Sequence, residues 1–449
     1  MSSIRLRFSV FLLVLPFLTA VSLYAQKGYG PSPEIREAQR RFRDNRFGIF
    51  IHWGIYSMYG QGEWALTYNG LTHEEYSKMA GGFYPAAFDA AEWVSAVKAS
   101  GAKYICITAR HHDGFSMFDS SCTGYDIVDA TPFKRDILAE LASECRRQGI
   151  ALHFYYSLID WGRDDAPRGR TGRGTGRTVT GSPETYFGFM KCQLKELLTN
   201  YGEIGCIWFD GNWDHEDGEQ PYDWRYDEIY PLIHSIQPSC LIGNNHHITP
   251  YPGEDIQIFE RDIPGENTAG WHSGGVSADL PLETCQTMNG SWGYCMADQD
   301  YKSADELIRY LVSTAGRDAN LLLNVGPQPD GNIPAAALER LARIGEWMAV
   351  NGETVYGTRS TLVKPQQWGV TTHKDDRMWL HVFPDEVFRH VSDGIICVPY
   401  RGGRKVASVK PFRSDNALSF RQYEEGIFIT LPEDMPRDVP DYIVEIVFR

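Results

Sequence analysis

A single carboxylate at the end of an apolar run is the first candidate for chemistry. The apolar residues 206–209 lead directly to Asp210, and Gly211 follows it. A parallel barrel presents an acid in this way, because its buried strands end at the catalytic mouth. On the two-residue period of a strand, Trp208 shares a face with Asp210 and would fill the barrel beneath it. Such a poorly solvated carboxylate suits a nucleophile; the alternative is an Asp-Gly turn that closes an ordinary strand.

Other predicted strand ends and the loops that follow them carry histidines, carboxylates and aromatic residues. Imidazoles and carboxylates can bind the hydroxyl groups of a sugar, while indole rings pack on its apolar face. The candidate residues are His52, Trp53, Glu63, Trp64, Arg110, His111, His112, Asp113, Tyr155, Tyr156, Trp213, Asn244, Asn245, His246, His247, Glu260, Glu266, Glu283 and Trp292.

Paired carboxylates explain this set better than a metal site does. A metal-dependent barrel hydrolase usually has a His-x-His pair on its first strand, where this chain offers only His52. The adjacent side chains of His111 and His112 diverge on a strand. A retaining glycosidase needs one carboxylate as nucleophile and a second, about 5–5.5 Å away, as acid and then base. Asp210 suits the first role, and we predict no metal and no cofactor.

Alternating strand and helix patterns over about 320 residues must position these strand ends. This spacing predicts an α/β fold, a (β/α)8 barrel of the TIM type. A doubly wound open sheet is the rival, but it would normally carry a glycine-rich phosphate loop after the first strand. The predicted strands are 46–54, 104–108, 151–157, 206–210, 240–244, 256–259, 283–288 and 320–325. The predicted helices are 33–42, 89–100, 134–148, 184–200, 223–236, 304–315 and 334–350.

Past Thr358 the pattern changes to short β-branched and aromatic runs separated by turn residues. This pattern predicts a small C-terminal antiparallel β-sandwich. We therefore place the catalytic barrel at 26–360 and the sandwich at 361–449. The predicted strands of the sandwich are 377–383, 394–398, 405–409, 418–420, 426–430 and 442–448.

Residues 1–25 have the pattern of a signal peptide. Arg5 and Arg7 precede an apolar run at 8–18, which is short for a membrane span, and small residues continue to Ala25. We predict an exported protein, periplasmic or extracellular, that is not inserted in a membrane after cleavage. The formal charge of −15 becomes about −17 without these residues, which disfavours nucleic acid and anionic membranes as partners.

The nine cysteines include no Cys-x-x-Cys pair. A dense disulfide framework is therefore disfavoured, while one or two disulfides remain compatible with the sequence.

The glycine- and arginine-rich segment 168–177 follows the third predicted strand. Its composition is typical of a solvated flexible loop. The alternative is that its arginines recognise acidic or sulfated groups of a glycan.

Six motifs, in order along residues 35–360, resemble the α-L-fucosidase family, glycoside hydrolase family 29. The resemblance implies a retaining exo-enzyme that releases terminal α-L-fucosyl residues from an oligosaccharide or glycoconjugate through a covalent fucosyl-aspartate. It also implies a catalytic barrel followed by a β-sandwich, and no metal. The motifs are 47–54 (FGIFIHWG), 62–64 (GEW), 111–115 (HHDGF), 208–211 (WFDG), 292–294 (WGY) and 321–327 (LLLNVGP).

The resemblance implies that Asp210, at the Trp-x-Asp-Gly position, is the nucleophile. For the acid/base, the Pro-Glu arrangement of the family favours Glu266, with Glu283 and then Glu260 as alternatives. Many relatives carry an arginine near Asn245, where this chain has none, so Arg261 is a candidate for the cation near Asp210. The residues implied to contact fucose are His52, Glu63, Trp64, His111, His112, one tyrosine of the Tyr155-Tyr156 pair (Tyr156 is favoured) and Trp292, which would pack on the methyl group.

Two other functions remain open at this point. An exo-glycosidase for a related sugar such as α-L-galactose would need room for a hydroxyl group where the methyl group of fucose packs. An inactive glycan-binding protein would need no second carboxylate. The oligomeric state is not indicated by the sequence.

Overall fold

The parallel strands predicted from the sequence form one sheet. The computed structural model describes residues 30–178, 181–215, 222–391 and 393–449, so the predicted signal peptide lies outside the described residues. Residues Pro31–Arg449 form one compact unit. The strands of the sheet are β1 (Phe47–Ile51), β2 (Tyr104–Arg110), β3 (Ala151–Ser157), β4 (Cys206–Asp210), β5 (Leu241–Asn245), β6 (Gln257–Glu260), β7 (Leu282–Thr287) and β8 (Ala319–Val325).

The strand order closes the sheet into a nearly complete barrel. The order is β5-β4-β3-β2-β1-β8-β7-β6, and all neighbours pair in parallel. The two edge strands are joined by a single parallel bridge between Gly243 and Ile256. The predicted TIM-type barrel is therefore confirmed, and the strand bounds differ from the predicted ones by only a few residues.

Helices connect the strands and cover the outside of the barrel. Their ends follow ordinary capping chemistry: Ser303 and Glu306 form a capping box, and Gly149 ends a helix in the left-handed conformation. No helix among the described residues is both long and apolar enough to cross a membrane. The helices are α1 (Pro33–Asn45), α2 (Ala65–Tyr68), α3 (His73–Ser77), α4 (Ala90–Ala99), α5 (Ile137–Gln148), α6 (Pro183–Thr199), α7 (Tyr226–Ile236), α8 (Ala304–Ala315), α9 (Ala335–Asn351) and α10 (Pro384–His390).

Side chains alternate between the two faces of the barrel wall. On β4, Ile207 and Phe209 pack in the cluster shared with the outer helices, while Cys206 and Trp208 belong to a separate cluster inside the barrel. The predicted two-residue period of this strand is therefore confirmed. The inner cluster includes the large rings of Phe50, Tyr104, Tyr155 and Trp208, so the barrel is filled beneath its mouth.

The C-terminal strands form two antiparallel sheets that pack on each other. Their orders are β12-β15-β10-β9 and β11-β14-β13, and one apolar cluster includes Leu380, Ile396, Ile429 and Ile446 from both sheets. Strand β9 and helix α10 were not predicted from the sequence. The strands are β9 (Gly369–Lys374), β10 (Arg377–Val382), β11 (Ile395–Val398), β12 (Val406–Pro411), β13 (Phe420–Gln422), β14 (Ile427–Thr430) and β15 (Tyr442–Phe448).

A buried polar contact joins these sheets to the barrel helices. The side chains of His381 on β10 and Asp441 are fully buried, with Nδ1 of His381 2.7 Å from Oδ2 of Asp441. The indole of Trp347 on α9 donates to the other oxygen of Asp441 at 3.1 Å. The predicted domain boundary near residue 360 stays a prediction.

One disulfide links the loop after β2 to helix α6. It joins Cys122 to Cys192 across a sequence separation of 70 residues. The other seven cysteines are free, and five of them are buried. Most cysteines are therefore buried thiols that fill space in the core. This agrees with the absence of Cys-x-x-Cys motifs from the sequence.

We expect the double change Cys122→Ser and Cys192→Ser to lower the free energy of unfolding by roughly 2–4 kcal/mol, because the cross-link restricts the unfolded chain. Urea denaturation followed by tryptophan fluorescence measures this. Cys397→Ser, which removes a free and partly exposed thiol, is the matched control and should leave the midpoint unchanged. A wild-type midpoint that does not move when dithiothreitol is added would contradict the prediction.

Candidate active site

Asp210 is the last residue of β4 and lies at the mouth of the barrel. Its side chain is almost completely buried, with the residue 8% exposed. Three donors hold the carboxylate. The hydroxyl of Tyr155 donates to Oδ2 at 2.8 Å, and the indole of Trp213 and the amide of Asn245 donate to Oδ1 at 2.8 and 3.2 Å. The geometry fixes both oxygens while leaving the carboxylate on a cavity wall.

The cavity above Asp210 has a volume of about 450 Å³. This volume is enough for a single sugar ring with part of a neighbouring group. The lining residues are Phe50, His52, Gln61, Gly62, Glu63, Trp64, Tyr68, His111, His112, Tyr155, Arg170, Trp208, Asp210, Trp213, Asn245, His247, Glu260, Arg261, Trp271, Cys285, Gly290, Ser291 and Trp292.

Most of the predicted sugar contacts meet in this cavity. His52, Glu63, Trp64, His111, His112 and Trp292 all line it. The ring of Trp64 is stacked on that of Trp213 with centroids 6.1 Å apart, and the ring of Trp292 is tilted against that of His52 with centroids 5.2 Å apart. Glu63 is anchored by the backbone N–H of Gly293, which donates to Oε2 at 2.9 Å.

The hydrogen-bond network assigns a tautomer to His52. The Nδ2 group of Asn324 donates to the carbonyl of Trp292 at 2.7 Å, so Oδ1 of Asn324 faces Nδ1 of His52 at 2.6 Å. Nδ1 must then carry the hydrogen, which leaves Nε2 as an acceptor. Burial lowers the pKa of His52 to about 4, against the opposing effect of the Asn324 contact, so the ring is neutral at neutral pH.

His112 is a second neutral acceptor, placed beside Asp210. The hydroxyl of Ser157 donates to the carbonyl of Ile159 and therefore accepts from Nδ1 of His112 at 2.8 Å. Burial lowers the pKa of His112 to about 3. Its Nε2 is 3.5 Å from Oδ2 of Asp210, so two acceptors face each other. A sugar hydroxyl that donates to either acceptor would relieve the repulsion between them.

The structure corrects the choice between the two tyrosines of β3. Tyr155, not Tyr156, lines the cavity and donates to Asp210. Tyr155 pairs with Trp208 of β4, and both side chains belong to the cluster inside the barrel. Tyr156 points to the opposite face, where its hydroxyl donates to Gln193 of α6 at 2.9 Å.

The second carboxylate brought to the cavity is Glu260, the last residue of β6. The Nδ2 atom of Asn245 donates to Glu260 at 2.8 Å and to Asp210 at 3.2 Å. Since one nitrogen contacts both carboxylates, the two contacted oxygens are at most about 6 Å apart, a limit that accommodates the roughly 5–5.5 Å of a retaining glycosidase. Nε2 of His247 lies 3.0 Å from the same oxygen of Glu260.

The structure does not bring Glu266 to the cavity. Glu266 lies six residues beyond the end of β6, after a turn in which Gly265 has a positive φ of 90°. Its side chain is exposed and forms an ion pair with Arg317, which follows α8. The loop position that favoured Glu266 in the sequence therefore carries its carboxylate away from Asp210.

Glu283 is also separated from the cavity, because it lies near the start of β7 rather than at its end. It is buried inside the barrel, 1% exposed. The hydroxyl of Tyr104 and the indole of Trp208 donate to its two oxygens at 2.5 and 2.9 Å. Burial raises the pKa of Glu283 to about 7. Its position is that of a support beneath Trp208, the floor of the cavity.

The two carboxylates at the mouth are electrostatically coupled. Burial, followed by the charge of Glu260, raises the pKa of Asp210 to about 6, although Trp213 and Tyr155 oppose this. Burial would also raise the pKa of Glu260, but the contacts with His247 and Asn245 outweigh it and hold this pKa below its usual value. The charge of Glu260 thus favours the protonated form of Asp210, while His247 and Asn245 favour the ionised form of Glu260.

The segment 168–177 is partly packed rather than wholly solvated. Arg177 is buried and donates to backbone carbonyls, including that of Ala166 at 3.5 Å. The hydroxyl of Thr175 donates to the carbonyl of Trp161 at 2.9 Å. Arg170 lines the cavity, with its guanidinium carbon 5.8 Å from the ring of Trp213. One arginine thus stabilises the loop, and another reaches the mouth.

Two residues, Glu260 and Asn245, have a more central place in the site than the sequence indicated. Glu260 ends its strand as Asp210 ends β4, and this shared position is the signal that identifies it. Asn245 takes the place beside Asp210 for which Arg261 was a candidate; Arg261 lines the cavity, 5.3 Å from the ring of Trp292. Trp271, also on the cavity wall, was not singled out, because no strand precedes it directly.

Known proteins resemble this chain in both sequence and structure. The α-L-fucosidase of Dictyostelium discoideum is 27% identical over 478 residues, covering 96% of this chain and 97% of that protein. The structure of α-L-fucosidase isoenzyme 1 from Paenibacillus thiaminolyticus has a TM-score of 0.80 at 31% identity and covers 93% of this chain and 100% of that one.

A third relative was solved as a reaction intermediate. It is a family 29 α-L-fucosidase from Bacteroides thetaiotaomicron, a trapped covalent intermediate in complex with 2-fluoro-fucosyl fluoride. It has a TM-score of 0.76 at 26% identity and covers 92% of this chain and 96% of that one. The family model described as alpha-L-fucosidase matches residues 18–353. Because this match includes the whole barrel and every residue placed at its mouth, the chain belongs to the α-L-fucosidase family of glycoside hydrolases.

Proposed function

We propose that this protein hydrolyses terminal α-L-fucosyl residues of glycans with retention of configuration, through a covalent ester on Asp210. The observation that carries the proposal is that one amide nitrogen, that of Asn245, donates to two carboxylates, buried Asp210 and partly buried Glu260. A retaining hydrolase needs this close spacing, because one carboxylate attacks the sugar directly and no water has to fit between them.

In the first step, a carboxylate oxygen of Asp210 attacks the anomeric carbon as the bond to the leaving oxygen breaks. Glu260 donates a proton to that oxygen, so it must be protonated for this step although its contacts with His247 and Asn245 favour the ionised form. The ester neutralises Asp210, and the loss of that charge lowers the pKa of Glu260. Glu260 can then take a proton from the water that attacks the anomeric carbon and releases Asp210.

The rest of the cavity suits fucose. The neutral acceptors of His52 and His112 and the carboxylate of Glu63 face into the cavity and can bind hydroxyl groups. Phe50 and Trp292, whose rings are 6.1 Å apart, offer an apolar surface for the methyl group. This surface favours fucose over α-L-galactose, whose extra hydroxyl group would be desolvated there. The second carboxylate favours a hydrolase over an inactive binding protein.

We also propose that the protein is exported. The charged and apolar pattern of residues 1–25 supports this, and so does the disulfide between Cys122 and Cys192, since disulfides persist mainly in oxidising compartments. Mass spectrometry of the mature N-terminus from secreted or periplasmic fractions would test both the cleavage and the destination.

We expect Asp210→Ala to lower kcat by roughly 10⁴-fold without unfolding the protein, because the ester can no longer form. In the wild type, 2-deoxy-2-fluoro-fucosyl fluoride should label one peptide, with the added mass on Asp210. Circular dichroism of the variant controls for folding. Label on another residue, or near-normal turnover by the variant, would exclude Asp210 as the nucleophile.

Glu260→Ala should slow hydrolysis of fucosides with poor leaving groups by roughly 10²–10⁴-fold, the contribution expected of a general acid. On a fucoside with a good leaving group, such as 4-nitrophenyl α-L-fucoside, the ester forms without the acid, and added azide should restore turnover and yield α-L-fucosyl azide, because azide attacks the ester without needing a base. Glu266→Ala is the matched control, since its carboxylate is exposed and paired with Arg317. If the azide product arose from the Glu266 variant instead, the acid/base assignment would be wrong.

The two tyrosines of β3 provide a matched pair for the pH dependence. Activity requires ionised Asp210, so kcat/KM should fall as the pH drops below about 6, the pKa of Asp210. Tyr155→Phe removes a hydrogen bond that favours the ionised form, and should move this acidic limb to higher pH. Tyr156→Phe should leave the limb in place, since its hydroxyl contacts Gln193. Equal shifts in both variants would contradict the placement of Tyr155.

A further inference from the structure

The position of Glu260 determines where the leaving group must lie. A general acid has to be within hydrogen-bond reach of the oxygen that it protonates. In the proposed reaction this oxygen joins fucose to the next sugar. The next sugar must therefore lie on the side of the cavity where Glu260 is found. The walls of the cavity next to Glu260 are therefore the place to look for contacts with the rest of the glycan.

On this side, His247 and Trp271 form a stacked pair. Nε2 of His247 is 3.0 Å from Glu260, and the His247 ring is stacked on that of Trp271 with centroids 5.9 Å apart and planes 28° apart. Both residues line the cavity. The imidazole of His247 therefore lies between the ring of Trp271 and the carboxylate of Glu260 and contacts both.

The Trp271 ring is held in place and yet open to solvent. The backbone N–H of Ser273 donates to the carbonyl of His247 at 2.8 Å, which ties the loop that carries the indole to the end of β5. The guanidinium carbon of Arg261 lies 6.0 Å from the ring centre. Even so, Trp271 is 46% exposed and lines the cavity, so apolar surface at the mouth is left open to solvent.

We propose that Trp271, supported by His247, is the platform of a leaving-group subsite that takes a pyranose ring, the sugar to which fucose is attached. This inference rests on the proposed function, with Glu260 as the acid. An indole offers a flat apolar face to the C–H groups of a pyranose, and its location beside Glu260 brings the linking oxygen to the acid. The subsite should therefore promote cleavage of the natural glycan, whose next sugar it binds, and should not affect cleavage of a fucosyl group that carries a small leaving group.

The test compares two substrates that share the fucosyl group. The first is the fucosyl disaccharide that the wild type cleaves fastest among the α-1,2, α-1,3, α-1,4 and α-1,6 isomers. The second is α-L-fucosyl fluoride, whose leaving group is too small to reach Trp271 and needs little help from an acid. Trp271→Ala should lower kcat/KM for the disaccharide at least tenfold and leave that for the fluoride within twofold. Trp271→Phe, which keeps an aromatic face, should recover most of the loss.

Tyr84→Ala is the matched control, since it removes another exposed aromatic ring, 59% exposed, outside the cavity. It should change neither rate. Tyr68, 72% exposed, stacks on Trp64 and offers an alternative platform. Tyr68→Ala therefore tests which wall binds the sugar: a selective loss there, with none for Trp271→Ala, would overturn the proposal.

The remaining outcomes separate the subsite from the reaction itself. Equal losses on both substrates would show that Trp271 only supports the fucose pocket, and the proposal would be wrong. No loss on either, or a wild type that cleaves no disaccharide better than methyl α-L-fucoside, would also overturn it while leaving the proposed function intact. A wild type that fails to hydrolyse fucosyl fluoride would overturn both.

Discussion

The close approach of two carboxylates, one buried and one partly buried, is the constraint on which the rest of the site depends. Asp210 and Glu260 repel each other when both are ionised, and burial strengthens that repulsion. The amide of Asn245 donates to both, while Tyr155 and Trp213 donate to Asp210 alone. These fixed donors replace water around the charges, so little has to rearrange during a reaction at the mouth.

Much of the fold, and the position of Asp210, could be predicted because their signals are local. The apolar period of β4 and the glycine after Asp210 lie within six residues, and Trp208 lies inside the barrel as that period requires. The alternation of strands and helices likewise needs no knowledge of distant contacts. The missed strand β9 has three threonine or histidine residues among its six, and such a polar pattern resembles a loop.

The partner of Asp210 could not be found in this way, because it depends on which strand ends are neighbours. Glu260 ends a strand of only four residues, too short for a clear period, and motif position favoured Glu266 instead. The choice between Tyr155 and Tyr156 depends on the pairing of Tyr155 with Trp208 across two strands. A shift of one residue in that register would reverse which side chain enters the barrel, and no local pattern records it.

The barrel closes at its weakest seam, the single bridge between Gly243 and Ile256. Asn245 ends one strand of that seam and Glu260 ends the other, so their hydrogen bond crosses it. The spacing of the two carboxylates is therefore set across the part of the wall where the fewest residues pair. A small opening of the seam would lengthen the distance between the two carboxylates. It would not break the longer strand pairings elsewhere in the barrel.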